Sequence, residues 1–255
     1  MRQTLETVSF GASREAVAMA CRVLANRGLA DGILGHISLL VGENALLIRA
    51  RGPQERGLAF TEAEDIRLVD LDGNPAADGE LDGGYTVPNE LPLHAEVLRS
   101  RPDVKAVVHA HPPHVVAADL AGLSIRPIVG AFDIPGTRLA AGGVPVYPRG
   151  VLVRNRRLAK EMLTAMGEHP VLVLRGHGLT SAATTVEQAV LQAISVDNLA
   201  RLSLQIRAAG GELVDLPESD MVELPDLGGS FNTATAWRHE LARLGKGIGS
   251  GASVL

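Results

Sequence analysis

Aromatic side chains are scarce in this chain: four Phe, two Tyr and one Trp among 255 residues. A core made without them must be packed from Ala, Val, Leu and Ile. The single cysteine, Cys21, excludes an internal disulfide and a thiolate metal cluster, which fits a reducing compartment. It lies in an apolar helical pattern and reads as a small core residue. No apolar run approaches the ~20 residues that a membrane span needs. The first residues show no leader pattern, so we expect a cytoplasmic chain with no membrane contact. Positive charge is not in excess either. The net charge is −5 and the arginines are scattered, which argues against a nucleic-acid surface.

The chain is long enough for one α/β domain, and no linker or internal repeat divides it. We expect a single domain over 1–255, with 216–255 as a partly disordered C-terminal extension. Apolar spacing predicts a helix capped by Ser13 and stopped by Gly28. Paired strands follow at 37–41 and 45–50. A capping box at Thr61 and Glu64 precedes a strand over 66–71 and a turn at Asp72-Gly73-Asn74. Residues 75–87 read as irregular. Asn89 can cap a helix ending near Ser100, and Val104 to Val108 reads as a buried strand. Further helices are expected over 113–121 and 155–166, from Thr184 or Thr185 to about Arg207, and over 237–244. Short strands are expected at 144–146 and 170–174. Residues 1–12 read as a loose start and 245–255 as disordered.

The richest stretch is His109-Ala110-His111-Pro112-Pro113-His114. Residues i and i+2 of a strand share a face, so His109 and His111 are placed to share one metal ion. Two core histidines at a strand end are the plainer alternative. Glu90 upstream and Gly176-His177-Gly178 downstream bring the candidate donors to four. A nitrogen and oxygen donor set without thiolate suits one divalent ion: Zn first, with Mn, Fe or Co as alternatives. His36, between Gly35 and Ile37, is either a polar residue at a strand entry or a proton donor. His94 and His114 are candidates for supporting the ligands, and His169 is expected to be exposed. Arg49, Arg51 and Arg149 lie in candidate site loops, where they would either fork onto a carboxylate or serve solubility. Asn89 is a further candidate substrate contact.

These residues resemble the class II aldolase/adducin family over roughly 13–215. The resemblance rests on Gly35-His36-Ile37-Ser38, on Pro88-Asn89-Glu90, on Arg101-Pro102-Asp103 leading to His109-Ala110-His111, and on His177-Gly178-Leu179. It implies a central mixed or antiparallel sheet flanked by helices on both faces. His109, His111 and His177 would be metal ligands, and Glu90 a fourth ligand or an acid/base. It also implies a homotetramer with sites at subunit boundaries. The chain departs from the aldolases in three places. Pro88-Asn89 stands before the Glu where a Ser-Ser pair is expected. His36 replaces an Asn. Gly130 aligns with the aldolases' catalytic tyrosine. The Gly-His-Ile-Ser form is closer to family members that decarboxylate hydroxylated aromatic acids.

The expected activity is therefore metal-dependent, non-oxidative decarboxylation of a 3,4-dihydroxyphthalate-like or hydroxypyridine-dicarboxylate-like acid. Glu90 or His36 would protonate the ring, with Glu90 slightly favoured. An aldolase acting on a hydroxy-aldehyde, ketone or sugar phosphate is one alternative. A non-catalytic, adducin-like interaction module is the other.

Overall fold

The computed structural model describes residues 10–247. The expected loose start and disordered end fall, for 1–9 and 248–255, outside the described residues. Helix α1 (Gly11–Asn26) begins two residues before the expected cap. Phe10 occupies the capping position, and no side chain caps the helix.

Seven strands form one sheet: β1 (His36–Leu40), β2 (Ala45–Arg49), β3 (Ile66–Asp70), β4 (Ala106–Ala110), β5 (Val146–Tyr147), β6 (Val171–Leu174) and β7 (Gly178–Ala183). Their order is β3-β2-β1-β4-β7-β6-β5. Every neighbouring pair is antiparallel except β5 and β6. The sheet is thus mixed, as expected. Side-chain alternation divides the core between its two faces. Ile37, Leu47, Val108 and Val173 belong to the cluster under α1, α3 (Pro113–Leu120) and α6 (Val186–Ala208). Leu46, Ile48, Val107 and Leu172 belong to the cluster under α2 (Leu91–Ser100) and α5 (Arg156–Met166). Buried Glu96 ties these last two helices together, pairing with Arg99 at 2.7 Å and with Arg156 at 3.0 Å.

Several local expectations shift. The capping box falls one residue later, on Glu62 and Asp65. Asn89 is exposed and caps nothing, because Glu90 itself takes the position before α2. The Asp72-Gly73-Asn74 turn holds, its N–H groups at 72 and 74 donating to the Asp70 carboxylate. Thr185 caps α6 by accepting from Gln188 N–H. Strand β7 was not expected. Its sequence, Gly-Leu-Thr-Ser-Ala-Ala, lacks apolar alternation and has Thr180 as its one β-branched residue, and all six residues are buried. A strand covered on both faces loses the polar half of its pattern. Among the described residues no helix is long and apolar enough to cross a membrane. The chain continues through α4 (Ile134–Leu139) and α7 (Glu218–Glu223), then a π-turn at Ser230–Thr235 that leads into α8 (Ala236–Gly245).

Candidate active site

The site lies on the α2 face of the sheet. His109 stands directly opposite His36 across β1 and β4, so both point to that face. His111 follows β4 two residues on, its backbone N–H held by Leu29 carbonyl at 3.0 Å. His177 occupies the tight turn between β6 and β7. Gly178 is required beside it, because a Cβ there would meet Ala110 carbonyl oxygen at 2.2 Å. Strands β4 and β7 can therefore approach closely, which brings His177 to the other two imidazoles. Ring centroids of His109, His111 and His177 lie 4.7–4.9 Å apart.

Glu90 enters from the start of α2. Its Oε1 accepts the Val153 N–H at 2.8 Å, which leaves Oε2 facing His109 Nε2 at 3.2 Å and His177 Nε2 at 3.7 Å. One ligand atom from each of the four residues lies within 4.8 Å of the others. His109 Nδ1 is 3.0 Å from Leu179 carbonyl oxygen and donates to it, so its Nε2 carries a free lone pair. His111 Nε2 lies 2.9 Å from that same atom. A tetrahedral ion with bonds of about 2.1 Å needs donors about 3.4 Å apart. Separations of 2.9, 3.2 and 3.7 Å bracket that value. The residues present fit a single small divalent cation.

The electrostatics agree. Burial, then the neighbouring His109, pushes His111 down to about 3. Burial also lowers His177, with His109 adding to it. Both imidazoles are thereby neutral, as ligands must be. Burial would raise Glu90, but the close imidazoles of His109 and His177 beside Oε2 and the Val153 N–H on Oε1 outweigh it and hold the carboxyl at about 2.

Beside this cluster His36 stacks on His109 at 5.0 Å between centroids. Its Nδ1 is 2.7 Å from His94 Nε2, and His94 Nδ1 is 2.7 Å from Ser38 Oγ. His94 thus backs His36 and makes no direct contact with a ligand nitrogen. His114 turns away to Asp197 on α6. His169 is half-buried, not exposed.

The arginines do not gather as expected. Arg49 shares the α1 face with Leu47, away from the histidines, and pairs with Glu55. Arg149 is exposed and pairs with Glu161 of α5 at 2.6 Å. Arg51 is half-buried in a bridge to Thr86, with no ion pair among the described residues. Both tyrosines are also engaged elsewhere. Tyr85 lies under Arg67, and Tyr147 OH bonds Glu161. Trp237 packs on the α1 and α6 side, and His239 is exposed, so α8 lies across the sheet from the cluster.

Sequence reasoning missed Asp119. This α3 residue accepts from Gly176 N–H at 2.7 Å and from Arg175 Nε at 3.0 Å, and so clamps the turn that carries His177. An acid five residues beyond His114 gave no pattern to read.

Residues 15–204 match the family described as Class II Aldolase and Adducin N-terminal domain. The chain is 80% identical over 244 residues to 3,4-dihydroxyphthalate decarboxylase of Arthrobacter keyseri, covering 96% of this chain and 98% of that protein. It is 69% identical over 236 residues to the enzyme of the same name from a Terrabacter species, covering 92% and 98%. Among solved structures, an aldolase II superfamily protein from Pseudomonas syringae superposes with a TM-score of 0.75 at 22% identity over 95% of each chain, a likeness of fold. Fold, donor cluster and sequence agree, and the chain belongs to the class II aldolase and adducin family.

Proposed function

We propose that this chain is a metal-dependent, non-oxidative decarboxylase of a hydroxylated aromatic acid of the 3,4-dihydroxyphthalate type. The observation that carries this is the 80% identity to a 3,4-dihydroxyphthalate decarboxylase over nearly the whole of both chains. The convergent Glu90, His109, His111 and His177 donors supply the chemistry such an enzyme needs. We assign zinc to them, a cytoplasmic location to the chain, and a homotetramer as its assembly.

When bound, the ion acts as a Lewis acid toward a substrate oxygen next to the bond that breaks. The chain's own residues do the rest. His109, His111 and His177 would hold the ion through neutral imidazoles, and Glu90 would share that work through Oε2. Glu90 Oε1 accepts from a backbone N–H and Oε2 faces the imidazoles, an arrangement for a carboxylate and not for an acid. His36 is therefore the proton donor, which reverses the expected preference for Glu90. Burial keeps His36 a neutral imidazole, so the proton it passes to the ring carbon bearing the departing carboxylate is its Nε2–H, and a short-lived imidazolate is left behind. The carbon–carbon bond then breaks, its electron pair restores the aromatic ring, and CO2 leaves. Water returns the proton to His36. Arg51, the one candidate arginine without an acidic partner among the described residues, takes the second carboxylate, with Asn89 exposed nearby in sequence to Glu90. An aldolase that needs a tyrosine to protonate its leaving group finds neither Tyr85 nor Tyr147 at this cluster.

The test is CO2 release and product mass after zinc-loaded protein meets 3,4-dihydroxyphthalate, beside an EDTA-treated control. Zinc-dependent CO2 and a catechol monoacid are expected. No CO2 from this acid or from a panel of hydroxylated aromatic acids would overturn the reading in favour of retro-aldol cleavage.

A further inference from the structure

His94 is fully buried, and both of its ring nitrogens are engaged. One faces His36 Nδ1 and the other faces Ser38 Oγ, each at 2.7 Å. Ser38 lies two residues along β1 from His36 and is also fully buried. Among the described residues its hydroxyl has no other polar partner.

The two hydrogen bonds can run in either direction. In one, the Ser38 hydroxyl donates to His94 Nδ1, and His94 Nε2–H donates to His36 Nδ1. The proton of His36 then sits on Nε2. In the other, His36 Nδ1–H donates to His94 Nε2, and His94 Nδ1–H donates to Ser38 Oγ. That direction leaves the serine hydrogen without an acceptor in a dry interior, at the full cost of desolvating a hydroxyl donor. The first direction leaves no proton of the chain unpaired. A third arrangement, with both nitrogens of His94 donating, needs an imidazolium. Burial pushes His94 down to about 3 and removes that option at neutral pH.

We infer that Ser38 and His94 are positioning residues that hold His36 in its Nε2-protonated tautomer, leaving Nε2–H as the one ring donor available to a substrate. The catalytic meaning of this tautomer rests on the assignment of His36 as proton donor. The tautomer itself does not. A His36 locked the other way would offer a lone pair where the ring carbon needs a proton.

Two-bond 15N–1H correlation spectra of zinc-loaded, 15N-histidine-labelled protein test this, with the His36 signals identified by their loss in His36→Gln. Wild type is expected to show His36 protonated at Nε2. Ser38→Ala removes the preference, so the two His36 tautomers mix. The variant keeps its bound zinc, and kcat falls about 10-fold with KM little changed, the scale of losing a supporting hydrogen bond. Ser38→Thr, which restores a hydroxyl, recovers both signals and rate. His36 protonated at Nδ1 in wild type overturns the inference, whatever the variants do. So does a Ser38→Ala protein with the wild-type tautomer and kcat. If wild-type protein releases no CO2, the decarboxylase reading fails while the spectra still decide the tautomer.

Discussion

His114 is shifted in the opposite sense to His111 and His177. Its Nδ1 lies 3.0 Å from Asp197 Oδ2, and that hydrogen bond raises its pKa above the ordinary 6.5 against a smaller desolvation effect. A raised folded value means that the proton favours the native chain. The contribution is complete below pH 6.5 and is lost as pH climbs through the folded value. Partial exposure of the ring leaves the pair screened by solvent, so the effect is small. Thermal melts of wild type and His114→Gln at about pH 5.5 and about pH 8.5, either side of the imidazole range, should show the wider gap in Tm at the lower pH. An equal gap at both would rule the ion pair out as a source of stability. The arginines teach a different lesson at this scale. Arg49, Arg51 and Arg149 looked alike in sequence. A two-residue alternation turned the first to the far face, and Glu161 of α5 engaged the last.

At the scale of elements, the site is joined from four pieces: the entry to α2, the end of β4, the loop at Val153 and the β6–β7 turn. Arg175 and Gly176 at the tip of that turn are exposed. The Asp119 carboxylate secures it from α3. Asp119→Ala is expected to lower zinc affinity by about 10-fold to 100-fold, the usual cost of losing a partner that orients a ligand, with the far-UV spectrum unchanged. Asp119→Asn, which keeps one acceptor oxygen, should fall between. Competition titration with a chromophoric chelator reads this directly, and wild-type affinity in the alanine variant would show that the turn holds His177 unaided. Expectations at this scale succeeded where helical periodicity or a β-branched apolar run marked the element, as in the fully buried β4 and β6, and failed where neither did. Helices α1, α5 and α6 came from periodicity, while β7 was lost because burial on both faces erased its pattern. The caps at Ser13, Thr61 and Asn89 slipped by one to three residues, because backbone packing and not the best polar residue chose where each element began.

For the whole molecule, metal binding is expected to be coupled to the fold. Glu90, His109, His111 and His177 come from distant parts of the chain and meet only when the sheet has formed. A ligand that binds the native state alone stabilises it by about 2.7 kcal/mol at one hundred times its Kd, or several degrees in Tm for a chain of this size. Chelation should lower Tm by that amount and added zinc should restore it, measured by scanning fluorimetry at fixed protein concentration. An identical Tm with and without zinc, with the metal shown to be bound, would mean that the donor cluster contributes nothing to folding.

The sequence by itself marked the candidate donors and, through the family resemblance, the class of the fold. The donors are marked by residue type and close neighbours: a His-x-His at the end of an apolar strand, an isolated Glu before a helix and a glycine on either side of His177. Only the tertiary structure decided which groups surround those donors. It tied His94 and Ser38 behind His36, set Asp119 under the His177 turn and turned Arg49 away. These relations join residues distant in sequence through sheet register and helix packing, and no local spacing encodes them. The physical reason is that a ligand is chosen by its own chemistry, whereas its support is chosen by whatever the fold brings within 3 Å.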